Sequence, residues 1–188
     1  MKKLKLQVQV SVDGFVARPN GELDWMVWDW DEALSQYVTE LTDSVDTILL
    51  GRKMTDGFIS AWQNVVSDPA NPMYEAGKTF LDLPKVTFSR TMEESPWENT
   101  TLATGDLAEE ISKLKNQVGK DLIVYGGASF VSSLIKGGHI DEYHLFVNPV
   151  VIGEGLTIFK EIDQKRDLTL VKAIPFECGI VLLHYEPK

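Results

Sequence analysis

The sequence predicts an α/β fold in which a mixed, mostly parallel central sheet is extended by antiparallel strands at its C-terminal end. Three observations predict it. Short apolar runs alternate with segments of helical periodicity as far as residue 136. Two of those runs stop at glycine and pass straight into a helical pattern, at ILLGRKMT (48–55) and IVYGGASF (123–130). From residue 140 onward the pattern is β alone. Strand–helix alternation calls for parallel pairing, and consecutive strands call for antiparallel pairing.

The elements follow in order. Leu4, Leu6, Val8, Val10 and Val12 alternate with polar residues and predict a strand over 4–12. Asp13-Gly14 breaks it and Pro19-Asn20-Gly21 supplies a turn. From Asp31, Leu34, Val38, Leu41 and Val45 recur at helical spacing. A strand at 47–50 ends at Gly51, and 52–60 reads as helix. Residues 61–84 are the least regular, with helical character at 73–81; 86–88 is a strand ending at Ser89-Arg90. Asp106 with Glu109 makes an N-cap pattern for a helix carrying Leu107, Ile111, Leu114 and Val118, stopped by Gly119. A strand at 122–125 leads through Gly126-Gly127 into a helix ending near Lys136. Strands are expected at about 140–151, near 156–159, and at 168–177 and 179–186. No repeat, linker or low-complexity tract divides the chain, so one domain over 1–188 is expected.

Bulk properties narrow the function. The chain is 44% hydrophobic and 24% charged, the balance of a globular protein. No apolar run approaches the ~20 residues that cross a bilayer. The N-terminal MKKLKLQVQV alternates where a secretory segment would be continuous, which favours a cytoplasmic protein. Its one cysteine, Cys178, has no internal disulfide partner. His139, His144 and His184 show no close ligand spacing, so no metal is expected. A net charge of −10 disfavours nucleic acid and requires that any anionic cofactor be held locally.

The two glycine junctions are where such holding is expected. Ligands of a parallel sheet gather beyond the C-terminal strand ends, where helix N-termini point free N–H groups outward. Gly51, Arg52, Lys53 and Thr55 stand at the first junction, Gly126, Gly127, Ala128 and Ser129 at the second, and Ser89 and Arg90 end a third strand. One such junction alone is commonly just a tight turn; three together favour a multiply phosphorylated ligand such as a dinucleotide. No GxGxxG follows the first strand, so a Rossmann design is not expected. Asp24 and Asp31, among acids interleaved with tryptophans in ELDWMVWDWDE (22–32), are the best candidates for a proton source. Trp25 and Trp28 offer flat faces for a heterocycle, although an amphipathic loop packing its tryptophans on the core fits the same pattern.

Read together, SVDGFVA (11–17), GELDW (21–25), LLGRKMT (49–55), FSR (88–90) and VYGGASFVSSLIKGGHIDEYHLFVNPVVIGEG (124–155) resemble the dihydrofolate reductase superfamily. The resemblance is strongest to the reductase domain of bacterial riboflavin biosynthesis and its stand-alone relatives, and it covers essentially the whole chain. It implies a three-layer α/β/α, dihydrofolate-reductase-like fold and an NADPH-dependent reductase of a small pyrimidine- or pterin-like substrate. By resemblance, Ser89 and Arg90 take the 2′-phosphate, while Arg52, Lys53, Gly127, Ala128 and Ser129 take the pyrophosphate. The nicotinamide lies near Asp13-Gly14-Phe15-Val16-Ala17, and Asp13, Trp25 and Trp28 face the substrate. The Asp141-Glu142 and Pro149 features favour the riboflavin branch. Tyr125-Gly126-Gly127, and a 59–77 segment without arginine, depart from it. Dihydrofolate reductase activity, and a nucleotide-binding module without chemistry, stay open as alternatives. Relatives commonly dimerise through the β-rich end, so a homodimer joined along an edge bearing Tyr143, Leu145 and Val147 is expected.

Overall fold

Leu4, Leu6, Val8 and Val10 form the apolar side of the first strand, and all four are buried. Lys5 and Gln7, on its other side, are buried too. The sequence alternation thus marks a central strand with one apolar and one polar covered face. The computed structural model describes residues 1–188. In chain order the elements are β1 (Leu4–Val10), α1 (Glu32–Asp43), β2 (Val45–Gly51), α2 (Arg52–Val66), α3 (Tyr74–Asp82), β3 (Lys85–Phe88) and β4 (Thr100–Ala103). They continue as α4 (Leu107–Lys115), β5 (Asp121–Val124), α5 (Ala128–Lys136), β6 (Glu142–Val147), β7 (Leu168–Pro175) and β8 (Val181–Pro187).

The eight strands form one sheet in the order β4-β3-β2-β5-β1-β6-β8-β7. Pairing is parallel from β4 to β6, and β8 and β7 add antiparallel to that edge. Helices α4 and α5 pack on the face carrying Leu4, Leu6, Val8, Leu49 and Val124, through Ile111, Val131, Leu134 and Ile135. The opposite face carries α1, α2 and α3: Leu41 and Phe80 join Ile48, Leu50 and Ile123, while Leu34 joins Phe146 and Leu182. The architecture is therefore three-layer α/β/α.

Several local expectations are corrected. Val45 begins β2 instead of ending α1, and α2 runs on to Val66. Val118 lies fully exposed beyond α4, whose C-cap is Asn116 and not Gly119. The segment near 156–159 makes only an isolated bridge, Ala17 to Leu156. Strand β4 was not foreseen, being four residues at the sheet edge. The edge bearing Tyr143, Leu145 and Val147 is not an edge. Strand β6 lies between β1 and β8, so a second copy cannot pair with it, and the open edge on that side is β7.

Candidate functional site

Because β2, β5 and β3 run parallel, their C-terminal ends put Gly51, Gly126-Gly127 and Ser89 on one side of the sheet. The two glycine junctions touch. Met54 of α2 lies against Gly126 and Gly127, and Phe130 of α5 lies over Gly51, leaving no room there for a β-carbon. Gly126 and Gly127 have φ of 156° and 82°, and Gly127 is the N-cap of α5. Glycine reaches these angles without the clash a side chain would bring. Neither α2 nor α5 has a side-chain cap, so their first-turn N–H groups remain available to an anion.

Charge is distributed to match. At the N-terminal strand ends Lys2 pairs with Asp46 at 2.7 Å, Lys3 with Glu142 at 2.7 Å and Lys5 with Asp121 at 3.0 Å. At the C-terminal ends Arg52, Lys53 and Arg90 are exposed and make no ion pair, in a chain of net charge −10. Ser89 is buried, and its Oγ accepts the N–H groups of Thr91 at 3.3 Å and Met92 at 3.2 Å, which leaves its hydroxyl proton to donate. Beside it opens a cleft of about 170 Å³ lined by Phe88, Arg90, Ala103, Leu107, Phe130 and Ser133. The rings of Phe88 and Phe130 stand 4.9 Å apart in that cleft. Sequence reasoning missed this apolar wall. Its only sequence signal is Phe88 directly before Ser89-Arg90.

Thr55 is placed differently from its expected role. It is fully buried, with Oγ1 donating to the Gly51 carbonyl at 3.3 Å and sharing a hydrogen bond with Thr87 at 3.1 Å. Its hydroxyl thus pins the start of α2 to β3. Ala128 and Ser129 open α5 beside Gly127.

The loop after β1 forms the other half of the site. Asp13 accepts the N–H groups of Gly153 at 2.8 Å and Ile152 at 3.3 Å. The Ser11 hydroxyl, followed by these backbone groups, holds its carboxyl below the usual carboxylate range. Asp13 therefore ties two loops together. Val16 N–H donates to Leu156 and Leu156 N–H to Ala17, each at 2.8 Å. The Val16 carbonyl and the Ala17 N–H, in two buried residues, have no partner in the chain. Trp25 is buried with its indole N–H unpartnered, whereas Trp28 is 67% exposed. Asn148, fully buried and not foreseen, accepts Val27 N–H at 2.9 Å and donates to Gln9 at 2.6 Å, fastening this loop to the sheet.

Neither Asp24 nor Asp31 is arranged as a proton donor. Asp24 is exposed and accepts from Arg18 Nε at 2.6 Å, and that hydrogen bond holds its pKa down. Asp31 is the N-cap of α1, accepting Leu34 N–H at 2.8 Å and Cys178 N–H at 3.1 Å, and these bonds lower its pKa as well. A general acid near neutrality needs a raised pKa, and both of these are shifted the other way.

Comparisons with known proteins give the family and the fold. A profile of the family described as RibD C-terminal domain matches residues 2–182. The uncharacterized protein YyaP of Bacillus subtilis (strain 168) is 34% identical over 187 residues, covering 98% of this chain and 94% of that protein. A crystal structure from Shewanella sp. PV-4, of a protein named for riboflavin biosynthesis, superimposes with a TM-score of 0.75. It is 23% identical and covers 100% of this chain and 99% of its own. Dihydrofolate reductase from Enterococcus faecalis, complexed with NADP(H), gives a TM-score of 0.62 at 16% identity, covering 99% and 96%. At these identities the two structures speak for the fold, which is dihydrofolate-reductase-like.

Proposed function

The chain belongs to the RibD C-terminal domain family, and from that premise we propose that it is an NADPH-dependent reductase of a small pyrimidine- or pterin-like heterocycle. The observation that carries this reading is the set of unpaired cations, Arg52, Lys53 and Arg90, around two uncapped helix N-termini at one end of an otherwise acidic molecule. Such an end suits a ligand with several phosphates. Ser89 and Arg90 would hold a 2′-phosphate, with the adenine against the apolar wall that the packed rings of Phe88 and Phe130 make in the cleft. The first turns of α2 and α5, with Arg52, Lys53, Gly127, Ala128 and Ser129, would hold the pyrophosphate.

The free Val16 carbonyl and Ala17 N–H fit a carboxamide, which needs one acceptor and one donor, so the nicotinamide would lie against them. When bound, the cofactor supplies a hydride; the chain's task is to place the acceptor atom against it and to exclude water. Trp25 is buried and anchors the loop, and exposed Trp28 offers a ring to cover a flat substrate. With Asp24 and Asp31 engaged elsewhere, the proton would come from solvent. The chain is read as one domain acting in the cytoplasm.

Titration of the purified protein with NADPH and with NADH, followed by quenching of tryptophan fluorescence, tests the reading. Tight NADPH and weak NADH binding supports it, and binding of neither overturns the phosphate assignment. Oxidation of NADPH is then assayed with aminopyrimidine acceptors and with dihydrofolate. A second reading, a nucleotide-binding module without chemistry, is favoured by the engagement of both candidate acids; it predicts NADPH binding without oxidation by any acceptor.

A further inference from the structure

At the opposite end of the sheet from the nucleotide groups, Glu142, His144 and His184 meet beneath α1. Glu142 and His144 are alternate residues on one face of β6, and His184 is the cross-strand partner of His144 on β8. We propose that these three side chains form a binding site for one divalent transition-metal ion, of which zinc is the type, with the carboxylate Oε2 and the two imidazole Nε2 atoms as ligands.

The distances carry the argument. All three ligand atoms lie within 4.8 Å of one another. Glu142 Oε2 is 3.2 Å from His144 Nε2 and 3.9 Å from His184 Nε2. Ligands bound at 2.0–2.1 Å in a tetrahedral zinc site stand roughly 3.3 Å apart. The three atoms are therefore gathered almost to the span of a coordination shell.

The surroundings divide the polar atoms in the same sense. Lys3 engages Oε1 of Glu142 at 2.7 Å and leaves Oε2 to the histidines. Lys5 pairs with Asp121 at 3.0 Å and stands 4.0 Å from Oε2. The Tyr37 hydroxyl lies 2.9 Å from His144 Nδ1, where an outer partner of a ligating histidine belongs: when an ion displaces the proton that Nε2 donates to Glu142 Oε2 at 3.2 Å, Tyr37 can accept Nδ1–H. His184 Nε2 is buried with no hydrogen-bond partner. An unpaired buried nitrogen is costly, and an ion satisfies it. Two imidazoles with one carboxylate select a zinc-like ion over calcium or magnesium, which favour all-oxygen shells.

The rings of His144 and His184 are stacked, centroids 4.2 Å apart and planes at 21°. Binding therefore turns each ring about its Cβ–Cγ bond until both lone pairs converge. The side chains of Glu142 and His184 are 11% and 13% exposed while His184 Nε2 itself is buried, so the same turn of the rings must open the ion's way in and the place of a fourth, water ligand. This site uses no residue of the proposed reductase site, and the two readings stand or fall separately.

The test is titration of the full chain, stripped with chelator, with Co²⁺. The expected result is visible d–d absorption of four-coordinate intensity saturating at one equivalent per chain and displaced by Zn²⁺. His184→Ala removes a ring whose Nε2 makes no hydrogen bond; it is expected to weaken Co²⁺ at least tenfold, and Tyr37→Phe by a smaller factor. His139→Ala leaves binding unchanged. Independently of any substitution, proton NMR of the wild-type Co²⁺ form is expected to show hyperfine-shifted imidazole N–H signals from two histidines. Absence of the absorption band, signals from fewer than two histidines, or equal binding by a folded His184→Ala chain overturns the proposal.

Discussion

The carbonyl oxygen of Ala17 occupies the space in which a side chain at Gly155 would begin. That contact lets Leu156 N–H reach Ala17 and Val16 N–H reach Leu156, both at 2.8 Å. Gly155→Ala forces the two loops apart, an overpacking that costs about 1–3 kcal/mol. Urea unfolding is expected to show that loss. NADPH titration is expected to weaken with it, because the same contact holds the free Val16 carbonyl and Ala17 N–H in place. Unchanged stability would show that the loops yield without strain.

Arg90 is exposed and unpaired beside the hydroxyl of Ser89. If it grips a 2′-phosphate, Arg90→Ala removes a charge-assisted hydrogen bond of about 1.5–3 kcal/mol, or roughly 10–100-fold in affinity. Fluorescence titration is expected to show that loss for NADPH and none for NADH. Ser89→Ala is expected to cost less, since Ser89 Oγ already accepts two backbone N–H groups. Equal losses for both nucleotides would remove the assignment.

Asp31 distinguishes a capping carboxylate from a catalytic one. Asparagine caps a helix as well as aspartate does, and alanine does not. Asp31→Ala is therefore expected to lower Tm by roughly 2–6 °C, with Asp31→Asn recovering part of it, since its one oxygen keeps the Leu34 bond while its NH2 cannot accept Cys178 N–H. Its pKa is lowered in the folded chain, chiefly by Leu34 N–H and then by Cys178 N–H. The stabilisation is thus present above the ordinary carboxylate pKa and disappears as pH falls through the depressed value. Turnover separates the two roles: a catalytic Asp31 would lose activity in Asp31→Asn out of proportion to any change in Tm, and a capping Asp31 would not.

What the sequence made legible was local. Glycine after an apolar run, and Ser89-Arg90 after another, mark strand ends that the parallel pairing gathers on one side of the sheet. Asp31 carried a local signal as well, standing one residue before a helical pattern as Asp106 does, yet its place among acids and tryptophans suggested chemistry instead. Non-local register left no such trace. His144 and His184 are far apart in the chain, and only the antiparallel pairing of β6 with β8 stacks them. The same pairing buries β6 and moves the open edge to β7, which corrects the expected dimer surface. Strand β4, four residues long, is too short for alternation to identify.

Lys85 supplies a pH-dependent test of the fold. It is 2% exposed, and its ammonium donates to the carbonyls of Leu81 and Leu83, each at 2.7 Å, at the end of α3. No carboxylate forms an ion pair with it, and burial pushes its pKa down to about 8 from 10.5, with Asp82 opposing weakly. Between those two values the unfolded chain binds the proton that the folded chain has released. Stability linked to this group therefore rises with pH across that window, and below about pH 8 the folded state carries the full cost of a buried charge. Lys85→Met has no proton to lose. Urea midpoints measured from pH 7.5 to 10.5 are expected to climb more steeply for the wild type than for Lys85→Met, once the tyrosines and other lysines common to both are subtracted. Parallel curves would mean that the two carbonyls hold the ammonium charged throughout, and that its burial is fully compensated by hydrogen bonding.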